Sequence, residues 1–115
     1  MRQFDHMGLP TDEKQPNEMY VAETKVWVTD PIAHPYRVEF LRYEPDSPVT
    51  GPVRDLPHIA FQVDDLDKYM EDGEILLGPF EPTDTLRVVF ILKDGAVYEF
   101  MQNSGKQDWF KDANP

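Results

Sequence analysis

Apolar and polar residues alternate over short runs of this chain, and one pattern of alternation occurs twice, each time around a histidine. In residues 56–67, LPHIAFQVDDLD, His58, Ala60 and Gln62 alternate with Ile59, Phe61 and Val63. That is the period of a strand whose apolar triplet faces a core while His58 faces the other way. The period then changes. Leu66, Tyr69 and Met70 fall at i, i+3 and i+4, the stripe of a short helix that Asp64 or Asp65 can cap and Gly73 can end. Residues 74–77 read as a brief strand ended by Gly78 and Pro79. Residues 86–92 and 96–101 read as a hairpin about Asp94 and Gly95, a pair that tolerates the positive φ of a tight turn.

The first half carries a reduced copy. Residues 4–9, FDHMGL, alternate imperfectly, with Phe4, His6 and Gly8 on one face and Met7 and Leu9 on the other. Where the second half has its helix, residues 11–17 are polar and bounded by Pro10 and Pro16, which predicts a loop with at most one helical turn. Residues 21–29 read as one valine-rich strand containing Trp27, and the chain returns through His34 and Pro35 into a strand over 36–43. On that strand Arg37, Glu39, Leu41 and Tyr43 share one face, and Val38 and Phe40 share the other, the side expected to meet the core. Residues 44–57 hold Pro45, Pro48, Pro52, Pro57 and Gly51, a composition read as sustaining neither ladder nor helix. The organisation expected is a single domain, with a first module over 3–44, a linker over 45–56, a second module over 57–102 and a tail over 103–115. Trp109 and Phe110 in the tail offer apolar surface to the body or to a second subunit.

A chain of 115 residues has room for one core, so two half-modules must share it. Its 40% hydrophobic and 29% charged residues are the balance of a globular protein. The net charge of −11 repels nucleic-acid backbones and anionic membranes, so neither is expected as a partner, while cationic ligands are favoured. There is no cysteine, so any metal must be held by nitrogen and oxygen. No apolar run approaches the ~18 residues of a membrane span, and MRQFDHMG lacks the segments of a secretory signal; a cytoplasmic protein is expected.

Chemistry enters through the repeat. Overlaying the halves puts His6 on His58, and Glu39 in RVEFL on Glu99 in VYEFM. Thirty-three residues separate His6 from Glu39 and forty-one separate His58 from Glu99, a difference of about one short helix. A lone histidine on a strand, or a glutamate on a solvated sheet face, is ordinarily structural. Here two of only three histidines fall at matched positions, as do two glutamates flanked by apolar residues. The third, His34, sits in a hairpin loop. Arg37 and Arg87 can share the cleft face and hold a carboxylate or phosphate, or be solvated strand residues. Trp27 and Phe90 can line a pocket or belong to the core.

A strand, helix and three strands written twice, with HIAFQVDDLD and a later VYEFM, resembles the vicinal oxygen chelate superfamily of glyoxalases, methylmalonyl-CoA epimerases, extradiol dioxygenases and bleomycin-resistance proteins. The resemblance covers roughly residues 3–102. It implies an α+β fold in which two βαβββ-type modules, the first with its helix largely missing, form an open, cup-shaped mixed β-barrel of the glyoxalase type. It also implies a divalent metal, Zn, Ni, Co, Mn or Fe(II), held by His6, His58 and Glu99 with Glu39 in the fourth ligand position.

The function expected from it is that of a metal-dependent lyase, isomerase or epimerase on a small oxygen-rich substrate, with Glu39 and Glu99 as the catalytic bases and Arg37, Arg87 and Trp27 as substrate-binding residues. Two alternatives stand beside it: a protein sequestering a cationic drug without catalysis, in the manner of bleomycin-resistance proteins, and an extradiol-type dioxygenase. Superfamily members commonly cover exposed sheet edges by pairing, so a homodimer is expected.

Overall fold

The computed structural model describes residues 2–104. Eight strands run in the order β1 (Arg2–Pro10), β2 (Met19–Val21), β3 (Val26–Val28), β4 (Val38–Tyr43), β5 (His58–Val63), β6 (Glu74–Thr83), β7 (Leu86–Lys93) and β8 (Ala96–Asn103). Two short helices interrupt them, α1 (Pro52–Asp55) and α2 (Leu66–Met70), with a 3-10 turn over Pro31–Ala33. All eight strands form one mixed sheet in the order β2-β3-β4-β1-β5-β8-β7-β6, curled into a half-barrel. This is the α+β cup of the glyoxalase type.

The sheet order is symmetrical about its centre. In each half the first and last strands pair parallel, β1 with β4 and β5 with β8, and β1 pairs antiparallel with β5 to join the halves. Parallel pairing needs a crossover. The two intervening strands of each half supply it by continuing outward from the last strand toward the sheet edge. Four strands, β4, β1, β5 and β8, therefore lie side by side at the middle of the cup.

Both faces of β7 are buried, because its residues alternate between two cores. Val88 and Phe90 point into the concave side with Ala60, Leu86, Val97 and Met101. Val89 and Ile91 point to the convex side, where α2 covers them with Leu66 against Val63 and Phe100. Leu66 and Ile91 are each 0% exposed, and burying such a side chain contributes about 1.5–3 kcal/mol. α2 begins as expected after Asp65, but the Asp65 side chain does not cap it. The Leu66 amide donates instead to Gln102 Oε1 at 2.8 Å, so a residue of β8 satisfies the first turn. The Asp94 and Gly95 turn has φ of 52° and 81°, as its hairpin requires.

Several expectations are corrected. Residues 21–29 are not one strand: β2 and β3 pair antiparallel about a turn at Ala22–Lys25, where Lys25 has φ of 49°. The proline-rich stretch is not free of helix, since Pro52 occupies the first turn of α1, where its missing N–H costs nothing. Val49 and Val53 of that stretch are buried in the concave core. β6 does not stop at Gly78 and Pro79 but runs to Thr83 beside β7 with shifts of register.

On β4 the buried residues are Glu39 and Leu41, while Val38 and Phe40 are half-buried, the reverse of the expected core side. Arg37 does not share the face of Glu39, because its φ of 58° breaks the alternation before the strand begins. Phe4 does not share the face of His6 either. A bulge between them, with Phe4 opposite Phe61 and His6 opposite Ala60, turns Phe4 outward and leaves both Asp5 and His6 buried. The tail, including Trp109 and Phe110, lies beyond Ser104 and outside the described residues.

Candidate metal centre

Each of the four central strands contributes one polar side chain to the floor of the cup: Glu39 from β4, His6 from β1, His58 from β5 and Glu99 from β8. The register explains how they meet. Gly8 of β1 lies opposite both Glu39 and His58, and Ala60 of β5 lies opposite both His6 and Glu99. Each histidine thus reaches across a small residue toward the glutamate two strands away. The two rows are related by the internal symmetry. A methyl group at Gly8 would run into the His58 ring, so glycine is required there for space.

The resulting cluster is buried, with His6, His58, Glu39 and Glu99 exposed by 1%, 2%, 4% and 8%. His58 Nε2 lies 3.0 Å from Glu99 Oε1 and 3.8 Å from Glu39 Oε1. His6 Nε2 lies 3.3 Å and 3.5 Å from the same two atoms. Ligands about 2.1 Å from a common ion stand roughly 3.0–3.4 Å apart in octahedral or tetrahedral arrangement, which is close to this spacing. Among the described residues, the buried side-chain atoms left with no hydrogen-bond partner are His6 Nε2 and His58 Nε2. Orphaned buried nitrogens are costly, and these two converge on a pair of carboxylates. The cluster of His6, Glu39 and His58, whose ligand atoms lie within 4.8 Å of one another, could hold a metal ion, and Glu99 Oε1 adjoins both imidazoles.

Asp5 orients His6. Its Oδ2 accepts from His6 Nδ1 at 2.6 Å, and its Oδ1 accepts from Gln62 Nε2 at 2.7 Å. Arg37 approaches Oδ1 at 3.4 Å through Nη2 and donates from Nε to the Asp5 carbonyl. Burial alone would raise the Asp5 pKa, but the bonds from His6 and Gln62 outweigh it and hold it below the ordinary value. An ionised carboxylate only accepts, so Nδ1 of His6 must carry the proton and Nε2 faces the glutamates.

Burial likewise opposes charge on His6, yet the Glu39 carboxylate and the Asp5 bond hold its pKa well above the ordinary histidine value. Burial would raise Glu99, and the two imidazoles beside it bring it down to about 2. Tyr43 is raised above the usual phenol, first by burial and then by the charges of Glu39 and Glu99.

Above this floor opens a cleft of about 700 Å³ whose lining includes Glu39, His58, Glu99, Tyr43, Phe80 and Phe90. The other residues predicted to touch substrate are not in its lining. Arg37 is engaged by Asp5. Arg87 lies 3.6 Å from Asp67. Trp27 donates from Nε1 to Glu44 at 2.7 Å and packs against Tyr20. His34, expected in a loop, accepts from the Tyr36 amide at 3.0 Å, beside the 3-10 turn.

Asp5, Gly8, Ala60 and Gln62 were not foreseen as parts of the site. A signal existed for two of them: the residue two places after each histidine is the smallest of its run, in HMG and in HIA. Asp5 has no such signal, since strict alternation would point it away from His6.

No protein-family model matches the chain, and no curated protein matches it in sequence. Among solved structures, a hypothetical protein from Bacillus halodurans C-125 is similar in fold. Its TM-score is 0.63 at 16% identity, covering 93% of this chain and 98% of that one. The likeness therefore extends over the whole cup, and at that identity it shows the fold.

Proposed function

We propose that this protein is a metal-dependent enzyme of the vicinal oxygen chelate superfamily, a lyase, isomerase or epimerase of glyoxalase type acting on a small oxygen-rich substrate. The observation that carries the reading is the convergence of two orphaned imidazole nitrogens and two buried carboxylates from the four central strands. His6, His58, Glu39 and Glu99 would hold a divalent ion, Zn, Ni, Co, Mn or Fe(II), whose Lewis acidity would polarise a substrate oxygen and acidify the neighbouring carbon. Glu99, with its pKa of about 2 and its oxygen close to both imidazoles, remains an anion and suits the ligand role. Glu39 stands farther from them, at 3.5 and 3.8 Å, and is the better placed group to take a proton and return it. Asp5 keeps the His6 tautomer fixed while this happens.

The test joins metal analysis to proton exchange. Elemental analysis of protein purified without chelator or histidine tag should find about one divalent ion per chain, and His58→Ala should lose it. Solvent deuterium incorporation into uncharged 2-hydroxy ketones and hemithioacetals of neutral thiols should fall by about 10²–10⁴-fold in Glu39→Gln, the usual cost of losing a general base. Metal retained by His58→Ala, or exchange unchanged in Glu39→Gln, would overturn the assignment.

One observation favours sequestration of a cationic drug as the second reading: the cleft lining joins apolar residues to Glu23, Glu39, Glu81 and Glu99. Tight binding of a cationic glycopeptide by protein that neither holds metal nor exchanges any substrate carbon would select it. The extradiol dioxygenase needs only two histidines and one carboxylate, so the fourth group, Glu39, counts against it.

A further inference from the structure

The charge of the ligand can be read from where the cations of this protein are. Among the described residues, no lysine or arginine lines the 700 Å³ cleft, while Glu39 and Glu99 form part of its floor and Glu23 and Glu81 are exposed members of its lining. The arginines and lysines of the flanking strands are held by acids elsewhere. Arg37 is bound to Asp5, Arg42 to Glu18 at 2.7 Å, Lys25 to Asp46 at 2.6 Å and Lys93 to Asp72 at 2.7 Å. Arg54 lies over the Tyr43 ring at 5.6 Å and lines a separate hollow of about 240 Å³. The walls of the main cleft are mostly apolar, with Leu77, Phe80, Val88 and Phe90 in the lining beside Tyr20, Thr24 and Tyr43. His58 joins Glu39 and Glu99 in its floor, and its Nε2 is buried without a hydrogen-bond partner.

We infer that the cleft takes an uncharged organic molecule with an apolar, ring-sized body that presents its oxygens to the floor, and excludes anions such as carboxylates and phosphate esters. This deepens the proposed function and rests on it in one respect: a divalent ion would offset the two charges of Glu39 and Glu99, leaving a near-neutral floor. The volume is that of a site for a drug-sized molecule. An anion entering it would find no cation in the described lining and would pass Glu23 and Glu81. Burial of an unpaired charge against Phe80 and Phe90 is unfavourable for either sign, and the carboxylates make it worse for an anion. Phe90 also meets the His58 ring edge-on, with centroids 5.3 Å apart, so an apolar ring on the wall would lie beside the polar floor.

The experiment uses a fluorescent uncharged probe, N-phenyl-1-naphthylamine, displaced by three competitors that share one body: 4-phenylbenzyl alcohol, 4-phenylbenzoate and 4-phenylbenzylammonium. Displacement is measured with metal-loaded and chelator-treated full-length protein, and metal content is determined on the same samples. The alcohol is expected to displace the probe at a concentration at least tenfold lower than either ion in metal-loaded protein, and at least tenfold lower than the benzoate in chelator-treated protein, where the ammonium should gain on the alcohol. Leu77→Trp, which narrows the cleft, should weaken probe binding, and Glu23→Lys with Glu81→Lys, at exposed positions, should bring the benzoate to within about threefold of the alcohol.

A benzoate equal to or better than the alcohol in wild type would overturn the inference, as would an ammonium that binds metal-loaded protein best. Probe binding unaffected by Leu77→Trp, or a selectivity unmoved by the two lysines, would overturn it as well. Metal bound together with benzoate preference would refute the ligand class and leave the metal reading standing. Protein that takes up no metal and still binds the benzoate most weakly would refute the metal reading and leave the exclusion of anions standing.

Discussion

Removing the Asp5 carboxylate should weaken the fold and the metal site together, and the structure sets the size of both effects. Asp5 is 1% exposed and makes bonds to His6, Gln62 and Arg37. In Asp5→Ala, Gln62 is exposed and the Arg37 side chain is 39% exposed, so both can turn to water. His6 Nδ1 cannot, and a buried donor left unpaired costs about 1–3 kcal/mol. The bond it loses is to an ionised partner, which places the expected loss near the upper end, about 2–3 kcal/mol. Asp5→Asn keeps an oxygen for Nδ1 but sets its amide hydrogens against the donors of Gln62 and Arg37, so about half that loss is expected.

Asp5→Ala frees the His6 tautomer and Asp5→Asn weakens the hold on it, and loss of such an outer partner typically costs 10–100-fold in metal affinity. Urea unfolding of metal-free protein and calorimetric Zn titration give the two numbers. Long-range nitrogen-15 correlation of the imidazole in Zn-loaded protein should show His6 as the Nδ1–H form in wild type and as a mixture in Asp5→Ala. Unchanged urea midpoint, Zn affinity and imidazole spectrum in Asp5→Ala would refute the positioning role.

Three further outcomes are expected. Gly8→Ala should displace the His58 ring, cost about 1–3 kcal/mol by overpacking and lower Zn affinity, as read by the same melts and titrations; wild-type values would show that the ring has another place to go. In metal-free protein, ionised Glu99 contributes stability that is complete above the ordinary carboxyl value of 4.5 and lost as pH falls toward about 2. Charged His6 contributes stability complete below 6.5 and lost as pH rises through its higher folded value, so urea midpoints should peak between these limits. A steady climb from pH 5 to 9 would contradict this. Finally, the long edge strand β6 and the exposed Phe4 and Met7, at 46% and 37%, are expected to be covered in a homodimer, and sedimentation equilibrium giving a monomer mass at micromolar concentration would refute it.

Much of this fold is visible in local pattern, because alternation, a short helical stripe and the Asp94 and Gly95 turn are all properties of adjacent residues. They identify the strand of His58, the helix after it and the hairpin leading to Glu99, and the weaker first copy is recognisable by comparison with the second. The matched positions His6, Glu39, His58 and Glu99 are legible for the same reason. What tertiary structure alone decides is how the strands lie against each other. The parallel pairings of β1 with β4 and β5 with β8 are contacts between segments 30 or more residues apart, and no local period encodes them.

Those pairings place Gly8 and Ala60 between each histidine and its glutamate. They also bury the face of Glu39 that a hydrophobicity pattern assigns to solvent. The bulge at Asp5 is a property of the β1 and β5 ladder, not of FDHMG, and it converts an outward aspartate into the partner of His6. The left-handed backbone of Arg37 removes that side chain from the cleft and gives it to Asp5, so the charge of the pocket, like its metal geometry, is settled by register and backbone twist.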